Sequence, residues 1–179
     1  MAEVTGFTES TEFAAFVRAH STALLRSAFL LTGERAAAED LVQDTFLRLL
    51  PRWSKVMAAD VPLAYVRRSM TNYFLNGRRR RAGHELLVAD LPERGYDSDP
   101  AGPLSDRELV RGLLADLPPK QRAVLVLRFY DDLSDAQIAA DLGCRQGTVR
   151  SIVSRGLGAL RAETERRSRD ISPTNGNLR

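Results

Sequence analysis

The chain has few of the residues that secreted, membrane-spanning or metal-dependent proteins require. Its 179 residues include one cysteine and two histidines, which excludes an internal disulfide and leaves too few side chains for a zinc-type site. No stretch approaches the roughly 20 apolar residues that span a bilayer, and no basic segment followed by an apolar one marks a signal peptide at the N-terminus. We therefore expect a cytoplasmic protein with no metal, no cofactor and no small-molecule substrate.

Charge is distributed in blocks, although the formal net charge is only +3. Residues 64–82 contain six arginines and no acidic residue, whereas residues 85–108 contain seven acidic residues and two arginines. The acidic block coincides with a run of glycines and prolines. This arrangement predicts distinct roles along the chain and a linker in its middle.

Hydrophobic periodicity predicts an all-α protein with two small helical domains joined by a flexible linker. Residues 8–81 form the first domain, with three helices whose apolar stripes share a core. Residues 82–104 form the acidic linker, residues 105–165 the second domain, and residues 166–179 a disordered tail.

The second domain contains a predicted helix-turn-helix. Ser134 and Gln137 form a capping box that starts a short helix, and Gly143 ends it. The following helix has an apolar stripe on one side and small polar and basic residues on the other. We assign DNA contacts in the major groove to the polar side: Gln146, Gly147, Thr148, Arg150, Ser151, Ser154 and Arg155. The alternative is a solvated helix with scattered arginines. The capped helix, the turn and the segregated polar face occur in register, which favours DNA binding over this alternative.

Two glycines fall within this last helix. Gly156 and Gly158 are each expected to weaken it by roughly 1 kcal/mol relative to alanine. Cys144, just after the turn, is interpreted as a small buried hydrophobic residue.

The second helix of the first domain has an acidic outer face with an apolar centre. Asp40, Gln43, Asp44 and Leu47 lie opposite the buried stripe on a helical wheel, which suits protein docking. A catalytic interpretation would use Glu39 with the two aspartates, but no ligand cluster accompanies them. A solvated acidic face with one exposed leucine is the remaining alternative, because single exposed apolar residues are common.

The third helix interleaves aromatic, amide and basic side chains and ends in four arginines. In one interpretation, the aromatic and amide side chains stack on and hydrogen-bond to unstacked bases, and the arginines bind phosphates. It assigns single-strand contacts to Tyr65, Arg67, Arg68, Asn72 and Asn76. The alternative, in which Tyr65 and Phe74 are core residues and the arginines only solubilise a helix end, is about equally supported by this helix alone.

Three segments together resemble a known family. AEDLVQDTFLRLL (38–50), AYVRRSMTNYFLNGRRRR (64–81) and LPPKQRAVLVLRFYDDLSDAQIAADLGCRQGTVRS (117–151) resemble, in order, three segments of bacterial extracytoplasmic-function sigma factors of actinobacterial type. Those segments bind polymerase, melt the promoter and read its upstream element. The resemblance covers residues 8–165 and implies sigma region 2 in the first domain and region 4 in the second.

The resemblance implies a non-enzymatic initiation factor that works with core RNA polymerase and promoter DNA. The face of Asp40, Gln43, Asp44 and Leu47 would dock on the β′ clamp coiled coil, and the β flap would be a second contact. The helix carrying Asn72 would capture the minus-ten element, and the helix carrying Arg150 would read the minus-thirty-five element. Family members are commonly held by an anti-sigma factor, so the resemblance admits one as a partner. Ile152 departs from the family, where many relatives have a basic residue.

Two other functions compete with this interpretation. A stand-alone helix-turn-helix transcription regulator would bind DNA without polymerase, but residues 8–81 show no feature of a ligand pocket. An enzyme acting on nucleic acid would need a metal or nucleophile constellation, and the sequence shows none.

Overall fold

The computed structural model describes the backbone of residues 2–84 and 104–171, with side chains over 11–77 and 109–169. All regular structure in these ranges is helical, which confirms the all-α prediction. The first domain comprises α1 (Ala2–Thr32), α2 (Arg35–Leu49), a 3₁₀ turn (Leu50–Arg52), α3 (Trp53–Met57) and α4 (Pro62–His84). The second comprises α5 (Leu104–Ala115), α6 (Pro119–Leu125), a π-helical turn (Val126–Tyr130), α7 (Asp135–Leu142) and α8 (Gln146–Ile171).

An aromatic cluster forms the core of the first domain. Trp53 is almost fully buried, and the rings of Phe13 and Phe16 meet its indole edge-on, with centroids 4.9 and 5.1 Å away. Phe46 meets the Phe13 ring in the same way, at 5.6 Å. Edge-to-face pairs of this kind add stability beyond the apolar area they bury, so this cluster fixes how α1, α2 and α3 pack.

The helix-turn-helix forms as the sequence predicts. The Ser134 hydroxyl accepts a hydrogen bond from the Gln137 backbone N–H, and the Gln137 side chain accepts one from the Ser134 N–H, which completes the capping box. Gly143 ends α7 with a left-handed φ of 61°, which glycine adopts without steric cost. Val149 and Ile152 are buried beneath α8, so the polar face of that helix must point outward.

The two domains pack directly against each other, an arrangement that the sequence did not predict. Apolar residues of α5 and α6, such as Leu114 and Leu125, belong to the same buried cluster as the aromatic core of the first domain. Arg122 of α6 is 3% exposed, and its guanidinium donates to the carbonyl of Leu31 in α1 at 2.8 Å. The same group donates to the carbonyls of Ala115 and Leu117 in its own domain, at 2.6 and 3.3 Å.

Two further hydrogen bonds cross this junction. The Ser27 hydroxyl on α1 donates to Asp131 Oδ2 at 3.2 Å, and Arg111 on α5 donates to the carbonyl of Gly33 at 3.3 Å. Asp131 directly follows the π-helical turn, whose wider i+5 bonding includes Asp131 N–H to Val126 carbonyl at 3.1 Å. This turn therefore places the Asp131 carboxylate beside α1 of the first domain.

The ends of several elements differ from the sequence prediction. Helix α8 continues past Arg166 to Ile171, where the tail was expected to be disordered, because Arg167 pairs with Glu163 at 2.7 Å and with Asp116, the residue after α5, at 3.0 Å. Helix α4 reaches His84. The rest of the predicted linker, residues 85–103, and residues 172–179 of the tail lie outside the described residues.

Gly156 has a packing role, which corrects its first interpretation as a residue that only weakens α8. A Cβ at this position would lie 3.0 Å from Leu125 Cδ1 and 3.3 Å from its Cγ, and Leu125 is itself buried. The glycine therefore allows α8 to approach α6 closely. Gly158 is exposed, and apart from its chain neighbours and the adjoining backbone of α8, no atom of the described residues lies within 4 Å of the place that a Cβ would take there.

Alanine at these two glycines should have opposite effects. Gly158→Ala should raise the free energy of unfolding by about 1 kcal/mol, because it gains helix propensity in open space. Gly156→Ala should lower it by about 1–2 kcal/mol, because overpacking against Leu125 outweighs the same gain. Urea unfolding followed by circular dichroism measures both, and equal stabilisation by the two variants would contradict the close packing at Gly156.

The junction also predicts a pH dependence of stability. Burial raises the pKa of the Asp131 carboxyl, against the opposing influences of the nearby Arg67 guanidinium and the Ser27 hydroxyl. An acid with a raised folded-state pKa contributes stability that is present below its unfolded value, about 3.9, and is lost as the pH rises through the folded value.

Asp131→Asn should therefore equal the wild type in stability at about pH 3 and exceed it at pH 7, since asparagine never carries the buried charge. Thermal unfolding across the acidic range measures this difference. Asp132→Asn, at the exposed neighbouring residue, is the control and should show no such trend. A wild type that is more stable than Asp131→Asn at pH 7 would contradict the assigned direction.

Candidate functional site

The outer face of α2 presents the docking residues that the sequence analysis predicted. Asp40, Gln43 and Asp44 are exposed, and Leu47 is 66% exposed. The opposite side of the helix is buried in the core through Val42, Thr45, Phe46 and Leu49. Asp44 is held only by a loose 3.9 Å contact to Arg48, and both side chains are open to solvent, so its carboxylate is available to a partner.

Leu50 extends this face, and the sequence analysis missed it. Its side chain is 46% exposed, and it lies three positions after Leu47, which places the two leucines on the same side of a helical turn. The i, i+3 spacing was the signal that could have identified it. Two neighbouring exposed leucines beside acidic side chains favour docking over the alternative of one isolated leucine on a solvated face.

Helix α4 divides its predicted single-strand residues between core and surface. Phe74 is buried in the core, as the alternative interpretation expected. Tyr65 is half-buried and packs against the same core. Arg68 and Asn76 are exposed, whereas Arg67 and Asn72 are half-buried; the side chains of the four terminal arginines lie outside the described residues.

The second domain contacts α4 at these residues. The Asn72 side-chain amide lies 3.5 Å from the backbone carbonyl of Asp141 in α7, and Arg68 Nε lies 4.0 Å from Asp141 Oδ1. Burial raises the pKa of the Asp141 carboxyl, while Arg68 and Arg67 act to lower it. Three of the predicted strand contacts therefore meet acidic residues of the chain's own second domain.

The outer face of α8 brings all of its predicted DNA contacts together. Every one of the seven residues is exposed, namely Gln146, Gly147, Thr148, Arg150, Ser151, Ser154 and Arg155. Ser151 Oγ donates to the Gly147 carbonyl at 2.9 Å, and Arg155 Nε donates to the Ser151 carbonyl at 3.2 Å.

Arg150 is held by a residue that the sequence analysis did not assign. Its Nε lies 3.2 Å from Asp135 Oδ2, and the other oxygen of that carboxylate lies 3.5 Å from Arg128 Nε. The capping box at Ser134 places Asp135 in the first turn of α7, directly beside α8. Fifteen positions separate Asp135 from Arg150, and no local pattern links residues at that distance.

An open groove runs beside this face. It is lined by Arg128, Phe129, Asp135, Arg150, Val153, Ser154, Leu157 and Arg161. Phe129 is 63% exposed there. The groove thus joins the basic face to an exposed aromatic ring.

Over the described ranges, no cluster of three histidine, cysteine, aspartate or glutamate side chains could hold a metal ion. No helix in those ranges has the length and apolar character needed to cross a membrane.

Comparisons with known proteins identify two family regions in this chain. The family model Sigma-70 region 2 matches residues 16–84, and Sigma-70 region 4 matches residues 113–162. The chain is 38% identical to an RNA polymerase sigma-E factor of Streptomyces avermitilis, over 90% of each chain. It is 33% identical to the ECF RNA polymerase sigma factor SigL of Mycobacterium tuberculosis, over 90% of this chain and 94% of that one.

Solved structures share the fold. The sigma factor RpoE of Bartonella quintana, crystallised with the anti-sigma factor NepR, aligns with a TM-score of 0.72 at 24% identity, covering 86% of this chain and 97% of RpoE. CnrH, in complex with the cytosolic domain of CnrY, aligns with a TM-score of 0.59 at 24% identity, covering 87% and 89%.

Proposed function

Because this chain belongs to the sigma-70 family of RNA polymerase sigma factors, in its extracytoplasmic-function group, we propose that three of its surfaces divide the work of transcription initiation. The protein binds core RNA polymerase and directs it to promoters. The observation that carries the assignment is the outer face of α8, where every predicted DNA contact is exposed and lies opposite an apolar stripe that includes the buried Val149 and Ile152.

Helix α2 docks on the polymerase. Its exposed acidic and amide groups suit a basic surface, and Leu47 and Leu50 supply an apolar centre. A buried apolar core with a polar rim is the usual anatomy of a protein interface. We assign this face to the β′ clamp coiled coil and a second contact, made by the C-terminal domain, to the β flap.

Helix α4 captures the non-template strand of the minus-ten element. Extruding a base costs a few kcal/mol of stacking, and pocket contacts must offset that cost. Asn72 and Asn76 supply amides for base edges, Tyr65 an aromatic surface, and Arg67 and Arg68 charges for phosphates. Their placement along one helix supports this role.

Helix α8 reads the minus-thirty-five element as duplex in the major groove. Arg150 has the most favourable geometry for base recognition. Asp135 accepts from its Nε and so orients the guanidinium of this exposed side chain. A guanidinium held in this way is preorganised for bidentate contact with guanine.

The protein acts as a specificity subunit in the cytoplasm and has no catalytic role of its own. We also expect an anti-sigma factor among its partners, as NepR is for the structurally similar RpoE. The stand-alone regulator is the weaker proposal, because a domain that dimerises or senses a ligand has no use for a helix that interleaves aromatic and basic side chains and ends in four arginines.

In vitro transcription tests the function as a whole. Core RNA polymerase is supplied with a fragment library of the source genome, with and without the protein. New transcripts that start beside a shared two-element motif only when the protein is present are expected. No new start sites, together with binding of a palindromic fragment by the protein alone, would instead support the stand-alone regulator.

Reversing charge on α2 should abolish polymerase binding. Asp40→Lys with Asp44→Lys places two cations on the docking face, and like-charge contact with a basic partner costs several kcal/mol. Pull-down of core polymerase measures the loss, and circular dichroism should show an unchanged helix content. Glu12→Lys with Asp60→Lys makes the same charge change at exposed residues outside α2 and should bind normally. Undiminished binding by the α2 variant would overturn the assignment.

Removing the Arg150 side chain should weaken upstream-element binding selectively. Arg150→Ala should cost about 1–3 kcal/mol on the preferred duplex and little on altered ones. Asp135→Asn should cost less, and the double variant should lose no more than Arg150→Ala, because Asp135 acts through Arg150. Fluorescence anisotropy on duplex DNA measures these effects, with Asp132→Asn as a control for the lost charge. Equal losses on all sequences would make Arg150 a phosphate contact.

A further inference from the structure

An exposed aromatic ring lies beside the residues of α8 that we assign to the upstream element. Phe129 is 63% exposed, and it lines the same groove as Arg150 and Ser154. We propose that Phe129 is a specificity-determining residue whose ring contacts the 5-methyl group of a thymine next to the base pair that Arg150 reads. This inference rests on the proposed function, in which α8 reads the minus-thirty-five element.

The π-helical turn (Val126–Tyr130) exposes the ring. In an unbroken α-helix, residue 129 would lie on the same side as Leu125 and Val126, at the i+4 and i+3 positions, and both of these residues are buried in the core. The wider π turn directs Phe129 away from that side. Single π turns are rare in helices and are frequently found at functional sites.

The turn that carries Phe129 is tied to Arg150 through one carboxylate. The Arg128 guanidinium donates to the Leu133 carbonyl at 3.1 Å, and Arg128 Nε lies 3.5 Å from Asp135 Oδ1. The other oxygen of Asp135 lies 3.2 Å from Arg150 Nε. The turn and the Arg150 guanidinium therefore keep a fixed relative position, which contacts to neighbouring base pairs require.

Charge in the groove suits the DNA backbone. Its lining includes three arginines, Arg128, Arg150 and Arg161, and one acidic residue, Asp135. Arg150 and Ser154 are predicted DNA contacts, and Arg161 lies on the same side of α8. The groove is therefore continuous with the DNA-reading face, and its positive charge attracts phosphates.

Thymine supplies an apolar group that matches the ring. The base edges in the major groove carry hydrogen-bond donors and acceptors, and thymine adds a 5-methyl group that side chains such as Phe recognise by apolar contact. A ring beside Arg150 would thus read a neighbouring base pair without a hydrogen bond. An apolar helix of a protein partner would match the ring but not the cationic lining around it, so we assign the ring to DNA.

Removal of one methyl group from the DNA tests the contact directly. Core RNA polymerase carrying this protein selects its preferred duplex from a random-sequence pool. Fluorescence anisotropy then measures the affinity of this holoenzyme for the selected duplex, and for copies in which each thymine of the upstream element is replaced in turn by deoxyuridine, which lacks only the 5-methyl group. Replacing the thymine next to the base pair that depends on Arg150 should weaken binding about fourfold, the factor expected for one methyl-sized apolar group.

Phe129→Ala should abolish this sensitivity to the methyl group. The variant should bind the thymine and deoxyuridine duplexes equally, because the ring and the methyl act as a pair. Phe129→Leu keeps an apolar side chain and should retain part of the sensitivity. Tyr130→Ala is the matched control, because Tyr130 is an exposed aromatic residue of the same turn that lies outside the described lining of the groove. It should respond to the methyl group as the wild type does.

Four results would overturn the proposal. They are an upstream element with no thymine next to that base pair, a wild type that binds the thymine and deoxyuridine duplexes equally, a Phe129→Ala variant that keeps the wild-type sensitivity, and weaker pull-down of core polymerase by Phe129→Ala. The last result would assign the ring to a protein contact. The comparison of duplexes with the wild type needs no substitution in the protein, and circular dichroism should show unchanged helix content in the variants because Phe129 is exposed.

Failure of the proposed function would look different. If the holoenzyme selects no upstream motif from the pool, α8 reads no such element and the proposed function fails. If it selects one that Arg150→Ala binds less tightly, while Phe129→Ala keeps the wild-type sensitivity to the methyl group, only the role of Phe129 is wrong.

Discussion

The junction between the two domains depends on one buried cation. Arg122 is almost fully removed from solvent, and the amino groups of its guanidinium donate to backbone carbonyls from both domains. A buried charge without such partners would cost several kcal/mol, so this arrangement constrains where α6 can lie relative to α1. The positions of the π-helical turn, of Asp131 and of α7 against α4 follow from that constraint.

The three proposed surfaces differ in how far they depend on this junction. The outer faces of α2 and α8 are set by the packing of each domain alone, since the opposite stripe of each helix is buried locally. The exposed face of α4 is instead defined jointly by both domains. The outer faces of α2 and α8 therefore stay exposed while the domains are packed together, whereas Arg67 and Asn72 of α4 are half-buried at the junction.

The acidic side chains at the junction contribute little to its stability. Asp131 and Asp141 both have a raised pKa, because burial raises the pKa of each carboxyl more than the arginines of α4 lower it. Apolar contacts therefore supply the stability of the junction. Asp135 is the contrasting case, a half-buried acid whose carboxylate lies 3.2 Å from Arg150 Nε and for which we propose an orienting role.

Local patterns in the sequence determined the helices, the capping box at Ser134, the turn at Gly143 and the outward faces of α2 and α8. Each of these features depends on residues within a few positions of one another. Only the tertiary structure decided the packing of the domains, since Arg122 and Leu31 are 91 positions apart, and Ser27 and Asp131 are 104 apart. Gly156 shows the same division. Its sequence context indicated a weakened helix, whereas contact with Leu125 revealed the close approach of α8 to α6. The sequence could not show this approach, because the space around a residue is set by elements that its neighbours in sequence do not specify.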